Sequence, residues 1–311
     1  YHPMKWILIS LLIPILMCKP FDALEPLAKA RIAYYEKDYV RSIDFYQQAI
    51  QLAGPHEKGI YYMELASCYI KMEQAPKAVQ QLQEAFQMGW LSPLGIDYEV
   101  RLADLSNHSS WPSLQALEKQ AFESYFQQCP QSELARDLVR RYRQDQYQRY
   151  RIVEILGPKH GWRSQEVMQA YRQQSQVDQQ NQAVLDSLVA TNGFPKQSEV
   201  GWLAAEGAFH IVQHASLTYQ QRYLPLLRTQ VETKELAADH LAFLEDRILV
   251  NEGKAQRYGT QMQCKGDTCW VRPIEAAEQV DERRLAIGLL PMEWHLKIRH
   301  LKDGRVYVWE P

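Results

Sequence analysis

The chain has 311 residues, of which 46% are hydrophobic and 23% charged, a balance typical of a globular protein long enough for two domains with separate cores. Its 35 lysines and arginines nearly offset 37 aspartates and glutamates, which leaves a net charge of -2. This excludes a global electrostatic attraction to nucleic acid or to an anionic membrane, so any partner has to be recognised locally.

Residues 1–18 have the pattern of a targeting segment. Met4 and Lys5 form a short charged start, and residues 6–17 form an apolar stretch too short to cross a bilayer as a lone helix. We therefore expect export to the periplasm or cell envelope. The segment Ile15-Leu16-Met17-Cys18 resembles a bacterial lipoprotein box, in which Cys18 is lipidated. Simple cleavage further along the chain and an uncleaved anchor are the alternatives, and a lipid at Cys18 is the only membrane attachment we expect.

Residues 24–90 contain an internal repeat with a spacing of 36 residues. The recurring pairs are Ala30 and Ala66, Ala33 and Tyr69, Ser42 and Ala78, Tyr46 and Leu82, and Ala49 and Ala85. This pattern resembles tetratricopeptide repeats, in which each unit is a pair of antiparallel helices. Two units need a cap, so we predict a repeat array over 24–126 with capping helices in 91–126.

The resemblance to tetratricopeptide repeats implies a concave groove that binds a peptide or a partner protein. The alternative is a spacer that only holds the next domain in place. Both alternatives are open on the sequence alone.

A second domain is predicted over 132–311, after a polar boundary at 127–131. Helices are expected over 132–156, over 164–191 with a stop at Gly193, and from an N-cap at Ser198 to His214. Further helices are predicted from a capping box at Thr218 and Gln221 and over 236–249. The small residues of the Ser198–His214 helix predict a close approach to its neighbours and a central position.

The helix predicted over 132–156 carries six arginines with three tyrosines between them, a mixture that can bind RNA or phosphate. Acidic residues on the same helix offset this charge, and a solvated or internally paired arginine face is the more common outcome. We predict no nucleic-acid binding.

After Gly253 the pattern becomes short and alternating. Residues 258–264 and 270–274 are predicted to form a β-hairpin, 275–287 a last helix, and 296–301 with 306–309 a terminal hairpin. Cys264 and Cys269 flank the first turn, where an exported protein could form a disulfide; two unpaired thiols are the alternative. The predicted fold class is mainly α, with tetratricopeptide-like helical hairpins followed by a helical domain with small β-hairpin additions.

Short polar motifs are spread over residues 132–296. They are Asp145-Gln146 with Arg149, Asp178 with Asn181, Gly193-x-Pro195, Val200-Gly201, Gln213-His214, Asp246-Arg247, Gln256-x-Tyr258-Gly259-Thr260-Gln261, and Arg283-Arg284 ahead of Gly288. This series resembles an uncharacterised bacterial domain family, a domain of unknown function. The resemblance implies a compact, mostly helical domain, frequent in exported proteins, and no known substrate.

Three residues of these motifs are candidates for catalysis. His214 can act as acid or base near neutral pH, Asp246 could orient its ring, and Tyr258 could donate a proton. The candidates for holding an anionic or carbonyl group of a substrate are Arg247, Gln256, Gln261 and Gln213. The alternative is a structural network, in which Asp246-Arg247 stabilises a helix end and the glutamines satisfy loop backbone groups.

His210 and His214 lie four residues apart, a spacing that permits two zinc ligands on one helix face. No glutamate of the metalloprotease pattern lies between them, and no third histidine is evident. We therefore predict no metal and no cofactor.

These observations leave two hypotheses of different class. In the first, the chain is an exported protein-interaction protein whose repeat array recruits a peptide or protein partner to a helical domain of unknown activity. In the second, residues 132–311 are a hydrolase or transferase that acts on a polar substrate through His214 and Asp246.

Overall fold

The computed structural model describes residues 21–310, which form fourteen α-helices and three short β-strands. The prediction of a mainly α fold with small β additions is confirmed. The targeting segment and the candidate lipidation site Cys18 lie outside the described residues. Within the described part of the chain, no helix combines the length and apolar character that crossing a bilayer needs.

The N-terminal part consists of two helical hairpins. Their helices are α1 (Phe21–Tyr35), α2 (Tyr39–Leu52), α3 (Pro55–Lys71) and α4 (Ala75–Gln87). The turn within each hairpin contains a left-handed residue, Lys37 in the first and Glu73 in the second. The small residues of the repeat are buried, namely Ala30, Ala49, Ala66 and Ala85. Each unit of the 36-residue spacing thus corresponds to one pair of helices.

The segment predicted as a cap joins both parts of the chain. Two 3₁₀ turns, Ile96–Tyr98 and Val100–Leu105, lead into α5 (Trp111–Gln128). Trp111 and Leu114 pack in the core of the hairpins, whereas Phe122 and Phe126, further along the same helix, pack in the core of the following domain. One helix therefore contributes to both cores.

The second part begins with seven helices, α6 (Ser132–Tyr150), α7 (Gly157–His160), α8 (Gln165–Asn192), α9 (Gln197–Val200), α10 (Trp202–Gln213), α11 (Leu217–Glu232) and α12 (Ala238–Asn251). The helix predicted over 132–156 is α-helical only to Tyr150 and continues as a π-helical turn over 151–156. The predicted cap and stop of the next helix are confirmed: Ser164 Oγ accepts from Val167 N, and Gly193 has a φ of 81°.

The helix predicted from Ser198 to His214 is broken at Gly201, which has a φ of 81°. Tyr125 Oη bridges the break: it accepts a hydrogen bond from Ala204 N at 3.0 Å and donates one to Val200 O at 3.1 Å. A Cβ on residue 201 would lie 2.5 Å from that hydroxyl oxygen, so this contact requires glycine. The predicted N-cap Ser198 is not a cap and donates its hydroxyl to Glu235 instead.

Helix α10 lies at the centre of the second core, as its small-residue face predicts. It packs against α6, α8, α9 and α11. Gly207 permits the close approach to α6, since a Cβ there would lie 2.8 Å from the Cβ of Tyr142. His214 is the C-terminal cap residue of α10 and therefore lies at the edge of this core.

Helix α11 begins before the predicted capping box. Ser216 is its N-cap, and its Oγ accepts a hydrogen bond from Tyr219 N at 3.4 Å. Gln221, the predicted second half of the box, donates to Glu252 at the end of α12.

The C-terminal elements are β1 (Met262–Lys265), β2 (Thr268–Val271), α13 (Val280–Ala286), α14 (Met292–Asp303) and β3 (Val306–Val308). Strands β1 and β2 form the first predicted hairpin. The predicted terminal hairpin is wrong, because residues 292–303 are helical and β3 pairs in parallel with β2. Alternating apolar residues such as Leu296 and Ile298 resemble a strand, but packing against α1 favours the helix.

Candidate functional site

Asp246, predicted to orient His214, organises the loop that follows α12 instead. Its carboxylate is fully buried. Oδ1 accepts hydrogen bonds from the backbone of Arg257 at 2.7 Å and Tyr258 at 3.1 Å, and Oδ2 accepts from Thr260 N at 2.9 Å and Thr260 Oγ1 at 3.0 Å. Because these loop donors occupy both oxygens, Asp246 is a structural carboxylate and not the partner of the imidazole.

The predicted substrate-binding glutamines Gln256 and Gln261 also belong to this loop. Gln256 is fully buried; its Nε2 donates to Gln261 O and Arg272 O, both at 2.9 Å, and its Oε1 accepts from Gln261 N at 2.8 Å. Gln261 Nε2 donates to Thr260 Oγ1 at 3.0 Å. These bonds replace backbone hydrogen bonds of an irregular segment, which is the structural alternative considered above.

Tyr258 contributes to the same loop mainly through its backbone, whose N–H donates to Asp246 and whose carbonyl accepts from Arg284 Nη1 at 2.5 Å. Its half-buried ring lies beside the guanidinium of Arg257 at 5.7 Å. Burial raises the pKa of the Tyr258 phenol, so the group stays protonated at neutral pH.

His214 contacts Asp145, a residue of α6. His214 Nδ1 lies 3.2 Å from Asp145 Oδ2, although the ring N–H direction is not aligned with that oxygen as in a linear hydrogen bond. The side chain of His214 is 18% exposed and that of Asp145 only 6%. A partly accessible imidazole therefore rests against a buried carboxylate, and such contacts are often poorly aligned before a substrate binds.

Asp145 is held by three further side chains. Arg149 Nη2 donates to Oδ1 at 3.0 Å, Gln174 Nε2 donates to Oδ1 at 3.0 Å, and Gln146 Nε2 donates to Oδ2 at 2.8 Å. Burial alone would raise the pKa of Asp145, but the contacts with His214 and Arg149 outweigh it and hold this pKa well below its usual range. The carboxylate is therefore ionised at neutral pH.

A second carboxylate, Asp178 of α8, shares the donors of Asp145. Arg149 Nη2 and Gln174 Nε2 each donate to Asp178 Oδ1 at 2.8 Å. Burial raises the pKa of Asp178. The negative charge of Asp145 also raises this pKa, whereas the positive charge of Arg149 lowers it. The environment thus pushes the pKa values of the two acids apart, as in pairs that divide the roles of acid and base.

Arg247 and Gln213, both predicted to bind substrate, meet next to His214. Arg247 Nη1 donates to Gln213 O at 2.7 Å. Burial lowers the pKa of Arg247, and the positive charge of Arg149 adds to this. Among residues 21–310, Arg247 forms no ion pair with a carboxylate, and the buried Gln213 Oε1 has no hydrogen-bond partner. Both side chains therefore have hydrogen-bonding capacity left for a ligand.

These side chains come from four helices spread over more than a hundred residues of sequence, and the same stretch is matched by a known family. A profile described as a family of unknown function (DUF6624) matches residues 132–307, more than half of the chain. The chain belongs to the DUF6624 family. Comparisons with curated proteins and with solved structures gave no match. The resemblance to an uncharacterised domain is thereby confirmed.

The DUF6624 domain contains a second polar cluster behind His214, on α6, α10 and α12. The His210 ring lies 5.5 Å from that of His214 and stacks on Tyr142 at 4.8 Å. Tyr142 Oη donates to Glu206 Oε1 at 3.0 Å, and His240 Nε2 lies 3.8 Å from the same oxygen. Polar groups thus continue from His214 into the core between these three helices.

The two histidines of this cluster, His210 and His240, have different protonation states at neutral pH. Burial lowers the pKa of His210 to about 4. Burial also acts against charge on His240, but Asp239 at 3.0 Å and Glu206 outweigh it and raise the pKa of His240 to about 10. At neutral pH His210 is uncharged and His240 is an imidazolium.

His210 does not complete a metal site with His214. His210 Nδ1 lies 2.9 Å from the backbone oxygen of Glu206, as expected for a donated helix-internal bond. Within residues 21–310, no three side chains of His, Cys, Asp or Glu are grouped as metal ligands would be. The absence of a metal or cofactor stays a prediction.

Cys264 and Cys269 face each other across the β1–β2 hairpin of the DUF6624 domain and are joined by a disulfide. The remaining cysteines of the described chain, Cys68 and Cys129, are buried and unpaired. The disulfide lies on the hairpin and takes no part in the cluster around His214.

The sequence motifs contain most of the residues that meet at His214, but they do not reveal the pairing. Asp145, Arg149 and Asp178 belong to those motifs without an assigned role, and Gln174 is absent from them. A local signal existed: Asp145 with Arg149, and Gln174 with Asp178, are each four residues apart on a helix and so share one face. The His214 site is defined below as His214, Asp145, Arg149, Gln174, Asp178 and Arg247.

Proposed function

We propose that the DUF6624 domain performs acid–base chemistry on a polar, anionic substrate at the His214 site, as a hydrolase or transferase. The observation that carries the proposal is the 3.2 Å contact between His214 Nδ1 and the buried Asp145 carboxylate. A carboxylate beside Nδ1 favours the tautomer that carries its proton on that nitrogen. Nε2 is then the atom that takes a proton from a substrate or water and returns it.

The charge of the site supports an anionic substrate. Arg149 is shared between Asp145 and Asp178, whereas Arg247 donates only to a backbone carbonyl. A partly buried guanidinium without a carboxylate gains most from a ligand that supplies one or from a phosphate, because Arg binds both in a bidentate manner. Arg247 is therefore the residue we propose to hold the substrate.

Asp178 supplies a second proton carrier in this proposal. Its raised pKa contrasts with the lowered pKa of Asp145, so Asp178 is the acid of the pair that protonates first as the pH falls. A reaction that uses His214 as the base needs a group that gives a proton to the leaving atom, and Asp178 is suited to that role.

The test is a panel of carboxylic esters, phosphomonoesters, phosphodiesters and peptides, incubated with the full chain and assayed for product by mass spectrometry. We expect turnover in at least one class, reduced about 10²–10⁴-fold by H214Q and by D145N. H300Q is the matched control, because His300 is exposed and bonds only to a backbone oxygen near the C-terminus. Equal rates for wild type, H214Q and D145N on every substrate turned over would refute the proposal.

The role of the repeat array also stays a proposal. The first helices of both hairpins, α1 and α3, line a cavity together with the DUF6624 domain, and α1 packs on α14. These contacts favour a role of the array in holding the DUF6624 domain over a role as an open binding groove. A peptide or protein partner would then meet the outer face of α2, where Val40 and Leu52 are exposed. Capture of the same partners by wild type and by the V40E/L52E double variant would exclude that surface.

Export is proposed together with these functions. The Cys264–Cys269 disulfide supports an oxidising compartment such as the periplasm or cell envelope. The measurement is a count of free thiols in protein isolated from the native envelope fraction; reduced Cys264 and Cys269 there would contradict the proposal.

A further inference from the structure

A cavity of about 260 Å³ lies between the helical hairpins and the DUF6624 domain. Helices α1 and α3 line it on one side, and α12, α14 and the segment 288–290 line it on the other. Most of its wall is apolar, formed by Leu24, Leu27, Ile60, Phe243, Leu289 and Leu290. It is separate from the His214 site, with which it shares no lining residue.

Arg284 lines this cavity and is 1% exposed. Its Nε donates to Leu290 O at 2.6 Å and its Nη1 donates to Tyr258 O at 2.5 Å, so its partners are neutral carbonyls. Within residues 21–310 it forms no ion pair with a carboxylate. Burial lowers the pKa of Arg284 to about 10, which leaves it charged at neutral pH. Asp281 and Asp246 act on its charge from a distance and favour it, but neither carboxylate contacts the guanidinium. A buried charge without a counter-charge in contact is costly, so an anion that reaches it is bound favourably.

His295 is a second polar residue of the cavity, and one of its ring nitrogens has no hydrogen-bond partner. Its Nε2 is buried and has no hydrogen bond. Burial lowers the pKa of His295 to about 3, and the positive charges of Arg284 and Arg299 act in the same direction. The ring is therefore neutral at pH 7, and in the tautomer with the proton on Nε2 it can donate a hydrogen bond into the cavity.

We propose that this cavity binds a small monocarboxylate with an apolar body, its carboxylate held by Arg284 and His295 and its chain held by the leucine-rich wall. The volume corresponds to about nine water molecules, which suits a ligand with roughly ten non-hydrogen atoms. Ligand sites of this kind combine an apolar lining with a few polar groups that fix one end.

The other charged groups of the cavity favour one carboxylate and not two. Arg31 is already paired with Glu64 at 3.0 Å, and Asp239 contacts His240 at 3.0 Å. Glu57, in the first turn of α3, adds a negative charge to the lining. A dicarboxylate would place its second charge among these acids, whereas an apolar chain avoids them.

The test is isothermal titration of the full chain with octanoate, octan-1-ol and octylammonium at submicellar concentration. N-acetyl-leucine is included to distinguish a free acid from the end of a peptide. We expect at least one of the two carboxylates to bind, and octanoate to bind at least about tenfold more tightly than octan-1-ol, because a charge-assisted hydrogen bond to Arg284 is lost in the alcohol. Equal binding of octanoate and octan-1-ol, or of octanoate and octylammonium, or no binding at all, would overturn the proposal.

Two variants locate the binding. I60W fills the cavity from a position that is 38% exposed, so the fold can accept it, and it should abolish binding. L226W is the matched control on α11, where Leu226 is 40% exposed and lies outside the cavity, and it should bind as wild type does. NMR at pH 7 gives an independent signal: saturation with octanoate should shift the ring nitrogen resonances of His295, whose Nε2 has no hydrogen-bond partner in the cavity, and leave those of the exposed His300 unchanged. Unchanged binding by I60W, or unchanged His295 resonances at saturation, would contradict this location.

Discussion

Replacing Asp246 with asparagine tests whether this residue is structural or catalytic. The substitution keeps the shape of the side chain but puts an NH₂ group where one oxygen accepts two bonds. If that group faces Thr260, the bonds from the Thr260 N–H and hydroxyl are lost. If it is turned round, the bond from Arg257 N is lost, whereas Tyr258 N keeps its bond at 3.2 Å to the other oxygen. A buried backbone N–H is left unpaired in either orientation.

The expected loss follows from these contacts. A hydrogen bond to a charged group contributes about 1.5–3 kcal/mol, and the remaining bonds weaken because the charge is gone. D246N should therefore lower the free energy of unfolding by about 3–5 kcal/mol, a large fraction of the roughly 5–15 kcal/mol typical of a folded protein. The assay is urea unfolding of the full chain, monitored by tryptophan fluorescence.

The matched control is D104N. Asp104 is 63% exposed and has Lys71 as its ion-pair partner, so the same chemical change there should cost less than about 1 kcal/mol. If D246N were as mild as D104N, the loop would not depend on this carboxylate, and a role for Asp246 in chemistry would be open again.

Three further predictions follow from the described contacts. Burial opposes ionisation of Glu64, but two arginines outweigh this effect and lower the pKa of Glu64 to about 2. The ionised carboxylate therefore stabilises the fold above the unfolded pKa of about 4.5, and this stabilisation is lost as the pH falls towards 2. E64Q should flatten this part of the curve of stability against pH. G201A should destabilise the protein by about 2 kcal/mol more than G193A. Both glycines have a φ of 81°, but only a Cβ at residue 201 would meet another atom, the hydroxyl oxygen of Tyr125. Equal losses of stability in urea unfolding would contradict this contact. NMR should show His240 protonated at pH 8 and His210 neutral at pH 6, in accordance with pKa values of about 10 and 4, and a His240 signal titrating near 6.5 would refute the assigned partners.

The elements that were predictable from the sequence are those with local signals. Ser164 and Gly193 mark the ends of α8 because a cap and a left-handed residue act within one turn. The break at Gly201 between α9 and α10 was not predictable, because it depends on the hydroxyl of Tyr125, which comes from a different helix. For α14, the strand-like alternation around Leu296 was misleading, because contact with α1 at the other end of the chain decides the conformation.

The same distinction explains the candidate site. His214 stood out as a titratable residue at the end of a helix of small residues, and Arg247 donates a hydrogen bond to the carbonyl of Gln213, the residue before it. Its partner Asp145 could not be inferred, since the contact depends on how closely α10 approaches α6. Asp246 seemed the natural partner among the motifs, but its bonds go mostly to backbone N–H groups, which no pattern of side chains reveals.

The sequence marks a domain boundary just after helix α5, but this helix makes the two domains unfold as one cooperative unit. Its first half anchors Trp111 in one core and its second half anchors Phe126 in the other, so neither part can unfold without stripping half of this helix of its contacts. A cut at 127–131, where composition marks the domains, would leave the second core without Phe122 and Phe126 and expose their rings to water. The hairpins therefore help the domain to fold, although both belong to the same polypeptide. A destabilising substitution in either core should also destabilise the other core.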